Sequence, residues 1–167
     1  GSWGLVGDRL DFRSHLEDSF SRDLLFLNNR DSTFKDITYS AFGDSVNFRS
    51  TTSVSCADVN GDGWPDLLIT EWGPDRLFLN QAGAGFLEVT ESAGLGASAW
   101  STSAAFLDAD RDGDLDLYVV RYLEFDPETI KPASSGDARW KGHRVMAGPE
   151  GLTPSADAFY LGNGDGT

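Results

Sequence analysis

The chain has 167 residues, with 13 Lys plus Arg against 27 Asp plus Glu and a formal net charge of −14. That length suits one domain of ordinary size, and the charge argues against a nucleic-acid binder or a protein that docks on anionic lipid, both of which need a basic patch. With 40% hydrophobic residues the chain can fill a core, while no apolar run is long enough to span a membrane, and its single cysteine, Cys56, excludes an internal disulfide framework.

In chain order, the first strand-like segment with a recognisable partner is Leu25-Phe26-Leu27-Asn28, followed by Phe34-Lys35-Asp36-Ile37-Thr38. The same pair returns 52 residues later as Leu77-Phe78-Leu79-Asn80 and Phe86-Leu87-Glu88-Val89-Thr90. A third copy opens at Phe159-Tyr160-Leu161-Gly162 and runs to Asn163-Gly164-Asp165-Gly166-Thr167. A second element repeats at 50 residues: Asp58-Val59-Asn60-Gly61-Asp62-Gly63-Trp64-Pro65-Asp66 aligns with Asp108-Ala109-Asp110-Arg111-Asp112-Gly113-Asp114-Leu115-Asp116. Strand-like runs precede these loops (Ser53 to Ala57, Ser103 to Leu107) and follow them (Leu67 to Thr70, Leu117 to Val120). Gly73-Pro74-Asp75 and Gly83-Ala84-Gly85 read as turns.

Short strands punctuated by Gly, Pro, Asn and Asp predict an all-β protein. A period near 50 with four strands per period predicts β-propeller blades, four-stranded antiparallel sheets. The units are a degenerate blade over 1–46, in which Asp8 stands where Asp58 would repeat, a full blade over 47–96, and a blade over 97–167 with an insertion over 121–157. The insertion carries Trp140, His143 and Arg144. Three units do not close a ring, since propellers use about four to eight blades. A partial propeller, a piece that closes by association with other copies, and a different fold all remain open here.

The acidic loops predict metal binding. Asp58, Asn60, Asp62 and Asp66 take positions 1, 3, 5 and 9 of the first loop, with the Trp64 carbonyl offered at position 7. Asp108, Asp110, Asp112 and Asp116 take the same positions in the second, with Asp114 at position 7. Gly63 and Gly113 at position 6 permit the tight turn. Hard oxygen donors without His or Cys suit Ca²⁺ rather than zinc or copper. Two carboxylates ~4 Å apart repel by about 4 kcal/mol at an effective dielectric of about 20, so closing several together calls for a cation. Two calcium ions per chain are expected; two solvated acidic turns are the plainer alternative. Position 12 is Ile69 or Val119 rather than Glu, and the flanks are strand-like, so an EF-hand is not expected.

The Ala57-Asp58-Val59-Asn60-Gly61-Asp62-Gly63-Trp64-Pro65-Asp66-Leu67 pattern resembles the FG-GAP/VCBS repeats of integrin-α-like β-propellers. Gly73-Pro74-Asp75-Arg76-Leu77-Phe78-Leu79-Asn80, Ala147-Gly148-Pro149-Glu150-Gly151-Leu152 and Asn163-Gly164-Asp165-Gly166-Thr167 look most like the ASPIC and UnbV (cartilage acidic protein) branch. The resemblance covers 24–167 and implies a secreted or periplasmic calcium-binding propeller, commonly seven-bladed, with the loop positions above as ligands. The literal Phe-Gly…Gly-Ala-Pro signature is absent, so integrin-style ligand recognition is not implied.

Three functions compete for this sequence. An adhesion or binding module would use calcium structurally and recognise a protein or glycan, with the 121–157 loop as contact region. A purely structural repeat would leave recognition to a longer parent protein. A glycan-active propeller enzyme has little support: none of the recognised nucleophile, zinc-protease or phosphate-loop motifs occurs, and the best acid clusters are assigned to metal. No catalytic residue is expected. Cys56, in an apolar strand, reads as a buried, inert thiol. Phe26, Phe78 and Tyr160, and Phe34 and Phe86, read as packing between blades.

Overall fold

The computed structural model describes residues 5–6, 9–10, 23–43, 51–124, 139–141, 143–144 and 153–167. The chain divides into two compact units, Gly1–Ser50 and Thr51–Thr167. It is mostly β-strand, arranged in several sheets, as an all-β repeat protein should be; among the described residues no sheet closes or curls into a ring. Asp8 and the Ala147–Leu152 stretch lie outside the described residues.

In the first unit β1 (Leu5–Val6) pairs antiparallel with β2 (Arg9–Leu10), and β3 (Phe26–Asn28) pairs with β4 (Phe34–Asp36). A short helix, α1 (Thr38–Phe42), follows. Its start is tied to the hairpin: Leu25 N donates to Thr38 Oγ1 at 2.8 Å, and Ile37 N to Leu25 O at 2.9 Å. Phe26 and Phe34 are exposed, so the expectation that they pack between blades fails for this pair.

The second unit opens with β5 (Thr51–Ala57), β6 (Asp66–Pro74), β7 (Arg76–Asn80) and β8 (Phe86–Glu88), an antiparallel four-stranded order. The β7–β8 hairpin repeats β3–β4 bond for bond. Leu77 N donates to Thr90 Oγ1 and Val89 N to Leu77 O. Ala93 N donates to Val89 O as Ala41 N does to Ile37 O, and the hydroxyls of Ser40 and Ser92 bond those same carbonyls. Each pair is 52 residues apart, so the sequence period is a period of backbone geometry.

A second sheet is built from β9 (Ser98–Leu107), β10 (Asp116–Arg121) and β13 (Ala158–Tyr160). Gly73-Pro74-Asp75 lies in the reversal between β6 and β7, as expected, since Ile69 pairs with Arg76, but it does more than turn the chain. Trp72–Pro74 also pairs with Ser98–Trp100, so β6 passes from the first sheet to the second. At this crossing the buried Asp75 carboxylate accepts Glu71 N at 3.3 Å and Ser101 Oγ at 2.8 Å. Burial pushes the Asp75 pKa up, partly offset by the bond from Ser101, the bond from Glu71 N and the charge of Arg121.

The insertion is an extension of the β10–β13 hairpin. Its base is closed by the Leu123–Pro154 bridge, by Glu124 N to Thr153 O at 2.9 Å and by Ser155 N to Tyr122 O at 3.3 Å. Further out, β11 (Arg139–Trp140) pairs with β12 (His143–Arg144).

The core lies between the two sheets. Val59, Leu68, Leu77 and Leu95 from the first part meet Leu117 and Val119 from the second, with Phe106 and Tyr160 packed beside them. Ser55 Oγ to Ala104 O (2.7 Å) and Thr52 Oγ1 to Ser101 O (2.7 Å) lace β5 to β9. Strand alternation places Ser53 and Ser55 inward on β5, leaving Val54 and Cys56 on the other side. Cys56 is therefore exposed, correcting the expectation of a buried thiol.

Candidate metal centre

Each acidic loop connects two paired strands, 58–65 joining β5 to β6 and 108–115 joining β9 to β10. The turn needs a left-handed backbone at two positions. Position 6 is Gly63 (φ 87°) and Gly113 (φ 100°), as read from the sequence. Position 4 is Gly61 (φ 71°) and, in the second loop, Arg111 (φ 69°), a conformation that disfavours a side chain by about 1–2 kcal/mol.

The last acid of each loop has a structural role that spacing alone did not reveal. Asp66 is buried; its Oδ2 accepts Val59 N at 2.9 Å and its Oδ1 accepts Asn80 N at 2.7 Å. Asp116 repeats this with Ala109 N at 2.8 Å and Gly162 N at 3.1 Å. Each carboxylate thus fastens its own loop to the end of the next strand. Burial pushes the Asp66 pKa up; the bonds from Asn80 and Val59 act against that, and the nearby Asp62 and Asp58 charges add to it.

The remaining predicted ligands sit at or near the surface. In the first loop Asp58 and Asn60 are half-buried, Asp62 and Trp64 exposed. Both Asp58 oxygens are turned onto the loop itself, accepting Asp62 N at 3.1 Å and Gly63 N at 2.8 Å. Asn60 Nδ2 donates to Asp62 Oδ2 at 3.2 Å, and Asp62 Oδ1 accepts Trp64 N at 2.8 Å. In the second loop Asp108, Asp110 and Asp112 are exposed and Asp114 half-buried. There Asp108 accepts Arg111 N, Asp110 accepts Asp112 N and Asp112 accepts Asp114 N.

This difference decides where carboxylates converge. Asp108, Asp110 and Asp116 each offer an oxygen within 4.8 Å of the others. Two oxygens held on one Ca²⁺ at 2.3–2.6 Å can be at most about 5 Å apart, so this span fits a shared ion. Among the described residues it is the only such group of three acids. The first loop has Asn60 where the second has Asp110, which leaves one fewer charge to gather. Two centres were expected and one acidic cluster is found; Asp112 and Asp114 stand outside it. An ion here would be held by Asp108, Asp110 and Asp116 and would supply charge neutralisation and a cross-link between loop and strand.

Position 7 also has a role in its side chain. The Trp64 ring covers Gly83 of the β7–β8 loop, where an added Cβ would lie 3.2 Å from it. The Asp114 carboxylate lies against Gly164 in the corresponding loop after β13.

Fold and site together define a class: repeated antiparallel sheets, each with an oxygen-rich acidic loop between two of its strands. The chain belongs to the FG-GAP-like repeat family, which matches residues 12–69 and again 58–119. Each match ends in the strand that follows an acidic loop. No curated protein matches the chain. Repeats of this family are structural, non-catalytic modules.

Proposed function

We propose that the chain is a calcium-binding repeat module of a secreted or periplasmic β-propeller, with calcium in a structural role. The observation that carries this reading is the convergence of Asp108, Asp110 and Asp116 in a loop whose side-chain donors are all oxygen. In this reading β5–β8 form one blade, and β9, β10 and β13 are three strands of the next. The first loop takes a second, weaker ion through Asp58, Asn60, Asp62, Asp66 and the Trp64 carbonyl. The Gly73–Asn80 and Asn163–Thr167 motifs support placement in the ASPIC and UnbV-like branch. Recognition of a protein or glycan is assigned to the loops and the 121–157 insertion; the rest of a longer propeller, or other copies, would complete the ring.

Native mass spectrometry and calcium titration by calorimetry test the metal reading. The expected result is two ions per chain, the tighter one lost in Asp110→Ala. No bound calcium at millimolar concentration would sink the proposal and leave the loops as acidic turns. One ion, lost in Asp110→Ala, would remove only the first-loop site.

A further inference from the structure

Asn60 is followed by glycine, and that pair carries a chemistry of its own. An asparagine side-chain amide is open to attack by the backbone nitrogen of the next residue, and glycine, without a side chain, hinders that attack least. The chain has two such pairs, Asn60-Gly61 and Asn163-Gly164, and they are held differently. Among the described residues Gly61 N donates to nothing. Asp58 Oδ1 accepts Asp62 N at 3.1 Å, whereas in the second loop Asp108 Oδ1 holds Arg111 N, the counterpart of Gly61 N, at 2.7 Å. Asn60 Oδ1 accepts Asp62 N at 3.1 Å, and Asn60 Nδ2 donates to Asp62 Oδ2 at 3.2 Å. Gly61 is exposed, and an added Cβ there would meet nothing. At the other pair Asn163 Nδ2 donates to Thr167 O and Oγ1, no described residue donates to Asn163 Oδ1, and the Asp114 carboxylate lies against Gly164.

We propose that Asn60 is a deamidation site whose aspartate product gives the first loop the acid set of the second. Gly61 N releases its proton to solvent and adds to Asn60 Cγ. As the N–Cγ bond forms, charge passes to Oδ1, where Asp62 N is already placed to hold it. The Cγ–Nδ2 bond then breaks, and ammonia leaves with a proton returned from solvent, closing a succinimide ring. Water opens the ring at one of its two carbonyls. Breaking the new N–Cγ bond gives aspartate on the original backbone. Breaking the bond from Gly61 N to the Asn60 main-chain carbonyl carbon gives isoaspartate, which lengthens the backbone by a carbon and takes the loop out of register. With aspartate at position 60, loop positions 1, 3 and 9 match Asp108, Asp110 and Asp116, the three acids that converge in the second loop. Calcium affinity rises with the number of ligand charges. The gain in calcium binding rests on the metal reading; the deamidation rests on the loop geometry alone.

Incubation of the metal-free chain at mildly alkaline pH, followed by peptide mapping, tests the reaction. In the folded chain residue 60 should gain the mass of an amide turned acid, about 1 Da, at nearly the rate it shows in denaturant, while Asn163 is slowed by the fold. Asn60→Gln should abolish the gain at that position, and circular dichroism checks that the incubated chain stays folded. An Asn60 amide protected by the fold as strongly as Asn163 overturns the proposal. So does a product that is isoaspartate alone, identified by fragmentation, since that form does not supply the acid set. Asn60→Asp supplies the aspartate product directly. In an Asp110→Ala background, which leaves only the first loop to read, it should tighten calcium binding roughly tenfold by calorimetry. An unchanged affinity there, with calcium still bound, overturns the gain in calcium binding even where the mass change is seen. Calcium bound by neither loop is instead the failure of the metal reading, and the mass change at residue 60 stands or falls without it.

Discussion

The Asp116 carboxylate accepts two backbone N–H groups from separate segments, Ala109 and Gly162, while also supplying an oxygen to the acidic cluster. Asp110 lies in the same cluster but is exposed and accepts only Asp112 N. Asp110 therefore isolates the metal role, while Asp116 combines it with a role in the fold. Asp116→Ala strands two donors and should cost about 2 kcal/mol in chelator, since an unmade partly buried bond costs ~1–3 kcal/mol, and more in calcium, where an ion ligand is lost as well. Asp110→Ala should leave the melting temperature in chelator nearly unchanged and lower it in calcium. Thermal melts of both variants in both conditions check this. An equal loss for Asp110→Ala in calcium and chelator would deny it a metal role. The position pattern made all ten loop residues visible as candidates, but it could not rank them. Ranking depended on which carboxylate faces inward, and that is set by the strand ends at Asn80 and Gly162, which are 14 and 46 residues away from Asp66 and Asp116.

At the scale of elements, the strands flanking the loops were legible because alternation and turn residues are local signals. Three features were not. The Trp72–Pro74 crossing reads as a turn by composition, and only its pairing with Ser98–Trp100 makes it a strand. The helix α1 has five residues, too few to show a helical period, and rests on the Thr38 and Ile37 bonds to Leu25 rather than on propensity. Cys56 was misread because its neighbours are apolar in sequence while the face it shares with Val54 is outward. The end of β13 gives a prediction of its own. Gly162 lies so close to the Leu115 carbonyl that an added Cβ would collide with backbone, which cannot swing aside as a side chain can. Gly162→Ala should push this segment off Asp116 and destabilise by about 1–3 kcal/mol, the usual cost of forced overpacking. Gly96→Ala, where an added Cβ meets nothing, is the matched control. Equal melting temperatures for the two would show that the contact yields without strain.

Across the whole molecule, the metal-free chain carries its −14 charge without compensation, and its titrating groups fall into two sets with opposite signs. Asp75, buried at the β6 crossing, has its pKa raised chiefly by burial, and Asp66 shifts in the same direction for the same first cause. Between the ordinary carboxylate value and that raised value the folded state holds more protons than the unfolded state. Stability therefore falls as pH rises through this window. Asp31, Asp36, Asp157 and Asp165 have pKa values lowered first by hydroxyl bonds from Thr33, Thr38, Tyr118 and Thr167. Their stabilisation is present above the ordinary value and is lost as pH falls through their lowered values. The two limbs meet near pH ~4, the ordinary aspartate value. The metal-free protein should therefore be most stable in mild acid, not at neutrality, with general charge repulsion adding to the alkaline limb. Thermal melts from pH 3 to 8 in metal-free buffer measure this, and Asp75→Asn should flatten the rise between pH 7 and 4, because an amide keeps an acceptor for Glu71 N without a charge to bury. A maximum at neutral pH, or an unchanged profile in Asp75→Asn, would remove Asp75 as the source of the alkaline limb.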